Sequence, residues 1–306
     1  MDVYDFIVTE EAEGERLDQY VSDCIDTISR SYLQKLIKEE KVTVNDKTIT
    51  KSSYRLNCDD KISLIVPPAA ALEIEAEEIP LDILYEDDDI LVVNKPKGMV
   101  VHPAVSHYSG TLVNAIMFHC KDRLSGINGI LRPGIVHRID KDTSGSLIIC
   151  KNDVAHNIIA AQLKEHSLKR IYKAIVMGQL KEDTGTIHAP IGRHHVDRKK
   201  MAVHPGGKDA ITHYKVLERF KGYTYAEFRL ETGRTHQIRV HMAHTGHPLL
   251  GDTVYGGGNF QVATNGQVLH AETISFIHPK TNELIEINAP MPEYFNKILE
   301  ILRKKS

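Results

Sequence analysis

The stretch VHRIDKDTSG, residues 136–145, combines high polarity with apolar flanks. Seven of its ten side chains donate or accept hydrogen bonds or carry a charge, and the apolar run LIIC follows at residues 147–150. A core strand would not tolerate so many polar groups, and an ordinary surface loop has no need of them. The stretch therefore indicates a place where the chain holds several chemically active groups together.

The segments around this stretch predict an α+β domain. VHRID is interpreted as an apolar strand that leads into Asp140, and DVAHNIIAAQLKEH as an amphipathic helix capped by Asn152 or Asp153. SLIICKN is the apolar segment on the other side of the polar stretch. Further strands are predicted for DILVVNKP, RIYKAIVMG, AITHYKVLERF and YTYAEFRLET. Because the strands come in runs broken by few helices, we expect a mixed, largely antiparallel sheet.

Residues 13–66 have the pattern of a small separate unit. ERLDQYVSDCI predicts one helix, and a second helix begins after a cap at Ser29. VTVNDKTI predicts a hairpin that turns at Asn45-Asp46, and DDKISLIV predicts a closing strand. The Pro67-Pro68 pair and the acidic run after it end this unit. We therefore expect two domains, residues 1–75 and residues 76–306.

The net charge of −3 hides a segregation of charge along the chain. Residues 30–55 hold seven Lys or Arg against three Asp or Glu, and residues 190–241 hold eleven against five. Between them, residues 67–89 hold nine acidic residues and no basic one. Two basic stretches favour two surfaces that contact one nucleic acid, although a solvated surface of mixed charge explains them equally well.

Composition excludes several classes of protein. No apolar run is long enough to span a membrane, and the acidic N-terminal segment is unlike a signal peptide, so a cytoplasmic protein is expected. The four cysteines are scattered and form no C-x-x-C pair, which favours reduced thiols over disulfides or a thiolate zinc site. The chain also lacks the glycine-rich motifs that bind nucleotide phosphates.

Histidines are concentrated in TGRTHQIRVHMAHTGHP, residues 232–248. Thr235 is a candidate cap and Gly246 a candidate end for a helix, which would place His241 and His244 on one face. A zinc site normally adds a cysteine or carboxylate at a matching offset, and none is near. We therefore expect hydrogen-bonding roles for these histidines and no metal site.

Asp140 is the remaining candidate for chemistry. Spacing alone favours a loop carboxylate in an ion pair, and residues 142–145 have the composition of a short Asx or Ser/Thr turn. The functional alternative is a carboxylate that a neighbouring cation keeps ionised in a cleft. Such a group attacks or stabilises an electrophilic sugar carbon in enzymes that cleave glycosidic bonds.

Four motifs in order resemble the RluA/RluD-type pseudouridine synthases. They are VVNKPKGMVVHP, HRIDKDTSG, RIYKAIVMG and TGRTHQIRVHMAHTGHPLLGD, and the resemblance covers roughly residues 80–290. The N-terminal unit, with RLDQYV and SRSYLQKLIKEEKVTVN, resembles a small α/β S4 RNA-binding domain. A conservative departure is Ile139, where leucine is usual.

The resemblance implies a role for five residues. Asp140 corresponds to the essential catalytic aspartate, Arg239 to the arginine that pairs with it, and Tyr172 to the tyrosine that packs on the uracil. Arg138 corresponds to an arginine that helps displace the target nucleotide, and Ile238, beside Arg239, is expected to line the pocket. Taken one at a time, these residues also have ordinary structural interpretations: a loop carboxylate, surface arginines, a core tyrosine and a core isoleucine.

The resemblance also implies the partner. The substrate is expected to be structured RNA, in large-subunit (23S) ribosomal RNA or its precursor particle, and the enzyme is expected to be a monomer without cofactor, metal or membrane contact. On the S4-like unit, an N-terminal basic group is expected to contact the RNA backbone. This group is defined as Arg30, Lys35, Lys38 and Lys41. The alternatives are a non-catalytic S4-type ribosome-assembly protein and an RNA glycosidase that releases free uracil.

Overall fold

The computed structural model describes residues 2–25, 30–66, 74–103, 108–121, 123–127, 133–197, 200–256 and 264–306. The chain divides into two compact units, Met1–Ala71 and Leu72–Ser306. The boundary expected from the sequence lies at residues 75 and 76, and it stays a prediction. Ser29 and the Pro67-Pro68 pair lie outside the described residues, so the cap and the linker assigned there stay predictions too.

The first unit packs two helices on a four-stranded antiparallel sheet in the order β1-β4-β2-β3. Its elements are β1 (Asp2–Ile7), a 3-10 turn (Glu10–Ala12), α1 (Leu17–Cys24), α2 (Arg30–Lys38), β2 (Val42–Val44), β3 (Lys47–Thr48) and β4 (Lys61–Val66). The predicted helices, hairpin and closing strand are present, whereas β1 was not predicted. Asn45 and Asp46 both have positive φ angles of 50° and 63°, as a tight hairpin turn requires.

The second unit consists of runs of strands separated by single helices. Its elements are β5 (Ile83–Glu86), β6 (Ile90–Lys95), α3 (Leu112–Cys120), β7 (Ser144–Cys150), α4 (Asp153–Lys164), β8 (Lys169–Met177), β9 (Thr184–His188), β10 (Ile191–Arg193), β11 (Met201–Val203), β12 (Ile211–Phe220), β13 (Tyr223–Leu230), α5 (Gln237–His244), β14 (Leu269–Ile277), β15 (Leu284–Asn288) and α6 (Glu293–Lys304). In the described residues no helix is long and apolar enough to cross a membrane.

A mixed sheet forms the centre of the second unit. Within the described part of the chain its order is β5-β6-β7-β14-β8-β13-β12-β9, and β15 pairs with β14. Among the described strands of this sheet, only β7 and β14 pair in parallel. The other pairings of these two strands, and those of the remaining described strands, are antiparallel. All seven residues of β7 are buried, which explains the apolar run after the polar stretch. The predicted α+β fold with a largely antiparallel sheet is confirmed.

Gly145 makes the parallel pairing of β7 and β14 possible. Its φ is +116°, and a Cβ built at this position would lie 2.2 Å from the carbonyl oxygen of Ala271 on β14. Any larger residue would force the two strands apart. The structure corrects two predictions here. Ser144 and Gly145 belong to the strand rather than to a turn, and the residues before Asp140 are irregular rather than a strand.

Candidate active site

A cleft of about 590 Å³ lies in the second unit. Its walls are the irregular segment 135–140, one face of β8, and the segment 233–239 that leads into α5. All five residues that the resemblance assigned to catalysis or uridine binding line this cleft: Arg138, Asp140, Tyr172, Ile238 and Arg239. The volume lies within the range typical of small-molecule sites.

A buried lysine holds the turn that carries Asp140. The Nζ of Lys95 donates to the carbonyl oxygens of Pro96, Met99 and Lys141 at 2.8, 2.8 and 3.0 Å. Burial lowers the pKa of Lys95 to about 7, and the charges of nearby carboxylates oppose this shift. The ammonium form donates all three hydrogen bonds, and the neutral amine formed above this pH keeps two of them. Lys95 therefore ties the loop after β6 to the residue next to Asp140, which fixes the backbone at the bottom of the cleft.

Asp140 and Arg239 form a direct ion pair. Arg239 Nη1 donates to Asp140 Oδ2 at 2.9 Å, and the Asp140 side chain is 16% exposed. The Nε and Nη2 of Arg239 donate to the two oxygens of the fully buried Asp252 at 2.7 and 3.0 Å. Burial alone would lower the pKa of Arg239, but the two carboxylates hold that pKa above its ordinary value. The guanidinium is thus a fixed cation that meets one oxygen of Asp140.

Asp252 is a site residue that the sequence reasoning missed. Its Oδ1 also accepts from the backbone N–H groups of Val254 and Tyr255 at 3.0 and 3.1 Å, so one carboxylate orders both the turn and Arg239. The residue closes the motif TGRTHQIRVHMAHTGHPLLGD, which was the available signal. Nothing in the spacing, however, indicates that it reaches back to Arg239.

His236 faces the second oxygen of Asp140, with 3.7 Å between Nε2 and Oδ1. Its Nδ1 lies 2.8 Å from the hydroxyl of Tyr255, and that hydroxyl accepts from the backbone N–H of Met201 at 2.9 Å. The Tyr255 hydroxyl therefore donates its proton to Nδ1 of His236. The neutral ring then carries its own proton on Nε2, which faces Asp140. Burial lowers the pKa of His236, so a neutral imidazole is favoured.

Tyr172 and Ile238 form apolar parts of the cleft wall. Tyr172 lies on β8 between Phe228 of β13 and Ala271 of β14, and only 6% of it is exposed. Burial raises the pKa of Tyr172, so the phenol stays protonated. Ile238, in the first turn of α5, is 3% exposed. These two side chains offer a flat ring and an aliphatic surface to a planar ligand.

Arg138 lies at the exposed side of the cleft, with its Nη1 3.3 Å from His102 Nε2. Lys164, His166 and Arg234 also line the cleft. Arg234 is held by a bond from its Nε to the Asp209 carbonyl oxygen at 2.7 Å. The rim is therefore basic, as a site that receives a polyanion requires.

The N-terminal basic group belongs to the first unit, and its members differ in whether they pair with a carboxylate of the protein. Arg30 donates twice to the buried carboxylate of Asp18, and Lys35 lies 3.6 Å from Glu39. Lys38 and Lys41 form no ion pair with any described residue. Arg30 therefore also has a structural role that the sequence did not indicate, whereas Lys38 and Lys41 remain available to an external anion.

The histidines of α5 do not form a metal site in the described structure. The helix is capped by His236, not by the predicted Thr235. His241 is buried and bonded to Thr212 and Ala189, whereas His244 is exposed, so the two histidines face different surroundings rather than one common site.

Elsewhere among the described residues, Asp87, Asp89 and His278 approach one another closely enough to hold a metal ion. His278 Nδ1 accepts from two backbone N–H groups, so its Nε2 carries the proton donated to Asp87 at 2.7 Å. This trio is a structural link between two turns.

Comparisons with known proteins agree with this geometry. Residues 89–244 match the family model described as RNA pseudouridylate synthase, and residues 15–62 match that of the S4 domain. The uncharacterized RNA pseudouridine synthase YlyB of Bacillus subtilis is 50% identical over 99% of both chains. The ribosomal large subunit pseudouridine synthases D of Zymomonas mobilis and Pseudomonas aeruginosa are 43% and 44% identical over 96% of this chain, and over 96% and 94% of their own lengths.

Solved structures show the same fold. Human RNA Pseudouridylate Synthase Domain Containing 1 superposes with a TM-score of 0.57 and 25% identity, and the match covers 78% of this chain and 98% of that one. The Asp140–Arg239 pair lies at the bottom of a basic cleft, in a chain that matches RNA pseudouridine synthases over 96–99% of its length. This chain belongs to the RNA pseudouridylate synthase family and carries an N-terminal S4 domain.

Proposed function

We propose that this protein isomerises specific uridines of large-subunit (23S) ribosomal RNA to pseudouridine, with Asp140 as the catalytic carboxylate. The observation that carries the proposal is the ion pair between Asp140 Oδ2 and Arg239 Nη1 at 2.9 Å in the cleft. The names of the Zymomonas and Pseudomonas relatives support the ribosomal substrate.

The chemistry requires one glycosidic bond to move within a nucleotide. The N1–C1′ bond of uridine breaks, the uracil turns, and a C5–C1′ bond forms. The proton on C5 is lost and N1 gains a proton, so the RNA keeps its mass. Asp140 serves this reaction either by adding to C1′ or by removing the proton on C2′; both routes require an ionised carboxylate next to the ribose.

The remaining residues of the cleft support this chemistry by position. Arg239 takes Oδ2 of Asp140 and leaves Oδ1 as the oxygen for the sugar. The Tyr172 ring and the Ile238 side chain provide surfaces along which the detached uracil can turn, whereas several fixed hydrogen bonds would hinder rotation. Arg138, at the exposed rim, is suited to displace the target nucleotide from its stem, a step that costs a few kcal/mol.

We infer further that the S4 domain adds affinity through phosphate contacts of the N-terminal basic group. The substrate is free ribosomal RNA or a precursor particle, and the enzyme acts in the cytoplasm as a monomer without cofactor or metal. Residues 1–75 and 76–306 are the two proposed domains, the first for RNA affinity and the second for catalysis.

The test is to incubate the purified protein with transcribed 23S ribosomal RNA and to map pseudouridine by carbodiimide labelling and reverse transcription. Asp140→Asn is the matched control, because the amide keeps the shape of the side chain and removes its charge. We expect modification by the wild type, none by the variant, and similar RNA affinity for both. Substantial turnover by Asp140→Asn would remove this residue from the mechanism.

Mass analysis of the same reactions separates the alternatives. Isomerisation leaves the mass of the RNA unchanged, whereas a glycosidase would lower it by releasing uracil. A non-catalytic S4-type assembly protein would bind the RNA, leave its mass unchanged and produce no labelled site.

A further inference from the structure

Arg170 is a buried cation of the cleft for which the described residues provide no carboxylate partner. It lies on β8 two residues before Tyr172, and both side chains line the cleft. Only 8% of Arg170 is exposed, and its Nε has no acceptor among the residues that the structure describes. An unpaired buried charge costs several kcal/mol, and arginine does not lose its proton in proteins. A partner from the substrate is therefore expected.

Gly233 gives the Arg170 guanidinium its space. A Cβ built on Gly233 would lie 2.6 Å from Arg170 Nη1. Gly233 does not have a positive φ, so backbone conformation does not require glycine here. A side chain at position 233 would instead displace the guanidinium from its place on the cleft wall.

His137 provides a second unmatched donor on the same cleft. The backbone N–H of Ile148 donates to His137 Nε2 at 3.2 Å, so the neutral ring carries its proton on Nδ1. That Nδ1 is buried and has no acceptor in the part of the chain that the structure describes. Burial and the charge of Arg170 lower the pKa of His137 to about 3, which keeps the ring neutral.

We propose that Arg170 is a catalytic residue that binds the carbonyl oxygens of the target uracil and stabilises the negative charge of the ring after it detaches, with His137 as a neutral second donor. This proposal rests on the proposed function. When the N1–C1′ bond breaks, its electron pair stays on the uracil and spreads to O2 and O4. The charge disappears when C5 bonds to C1′ and the C5 proton is replaced by one on N1.

A uracil fits this position better than a phosphate group does. Arg170 is nearly enclosed and lies two residues from Tyr172 on the same strand, whereas Arg138 is exposed and Arg234 is half-buried, so these two are more open to phosphates. The guanidinium also meets a charge that develops during the reaction, the situation in which a preorganised donor accelerates the chemical step.

The test compares Arg170→Met, Arg170→Lys and the control Arg229→Met. Arg229 lies on the adjacent strand β13 opposite Ile171, is exposed, and carries the same charge. At saturating enzyme we expect the single-turnover rate constant of Arg170→Met to fall by about 10²–10³-fold, as for loss of one oxyanion-type donor. RNA affinity should change by less than about threefold, since a donor of this kind acts on the transition state more than on the bound substrate. Arg170→Lys should recover part of the rate, and Arg229→Met should match the wild type.

Thermal unfolding of the free proteins supplies an independent readout. Removing an unpaired buried charge should leave the Tm of Arg170→Met equal to or above that of the wild type. A large drop in Tm would identify Arg170 as structural and overturn the proposal. Weaker RNA binding with an unchanged rate at saturation would identify a phosphate contact and also overturn it. A wild type that forms no pseudouridine would instead refute the proposed function.

Discussion

Asp252→Asn tests whether the buried carboxylate orients Arg239 on Asp140. Asp252 accepts four hydrogen bonds, two from Arg239 and two from the backbone N–H groups of Val254 and Tyr255. In the variant an amide oxygen can replace Oδ1 and keep three of them. The amide NH₂ then takes the place of Oδ2, where it faces the Nε–H of Arg239, donor against donor.

The magnitude follows from these contacts. The change removes a charge-assisted hydrogen bond and one half of a buried ion pair, which together cost about 3 kcal/mol of unfolding free energy. For a chain of this size we expect Tm to fall by roughly 6–12 °C. Arg239 also loses its fixed orientation, and a displacement of about 1 Å at Asp140 lowers the single-turnover rate roughly 10²-fold.

The assay measures Tm and the single-turnover rate at a temperature well below both melting transitions. Asp209→Asn is the matched control, because it makes the same chemical change at an exposed carboxylate that meets His188. Its stability should stay within about 0.5 kcal/mol of the wild type. If Asp252→Asn keeps the wild-type Tm and rate, the orienting role is wrong; a lower Tm with an unchanged rate would leave Asp252 a structural role alone.

Three further predictions use other parts of the structure. Activity should persist in EDTA when the RNA stays folded, and loss of activity that zinc restores would contradict this. Deletion of the S4 unit, residues 1 to about 70, should leave a folded catalytic unit that binds RNA more weakly. The slope of log binding constant against log salt concentration should become shallower by about one unit for each lost phosphate contact. An unchanged slope would exclude RNA contacts by this unit. The pKa of Lys95 is about 7 in the folded protein, below its ordinary value of 10.5. The Lys95 contribution to the unfolding free energy is therefore fully present above pH 10.5 and is lost as the pH falls through 7. The difference in unfolding free energy between wild type and Lys95→Met should therefore shift in favour of the wild type from pH 7 to 9, and a flat difference would exclude this shift.

Local patterns predicted most of the secondary structure because helix and strand periodicity is written in neighbouring residues. The side-chain oxygen of Asn152 caps α4 through the backbone N–H of Ala155 at 2.9 Å, as one of the two expected caps. The strand β1 was missed because DVYDFI alternates weakly and is stabilised by its pairing with the distant strand β4, where Val3 lies opposite Ile65. His236 as the cap of α5 was missed because its left-handed backbone, with a φ of 57°, depends on the surrounding cleft.

The sequence by itself determined the α+β class, the family resemblance, and the five residues that line one cleft. It did so because chemical identity and local spacing are carried by short motifs. Only the tertiary structure decided which charges meet: Arg239 bonds to Asp140 across 99 positions and to Asp252 across 13, while Arg170 meets no carboxylate among the described residues. Pairing between buried charges depends on distances across the sheet that no spacing along the chain encodes. The unmatched guanidinium of Arg170 is visible only when every neighbour of that side chain is in place.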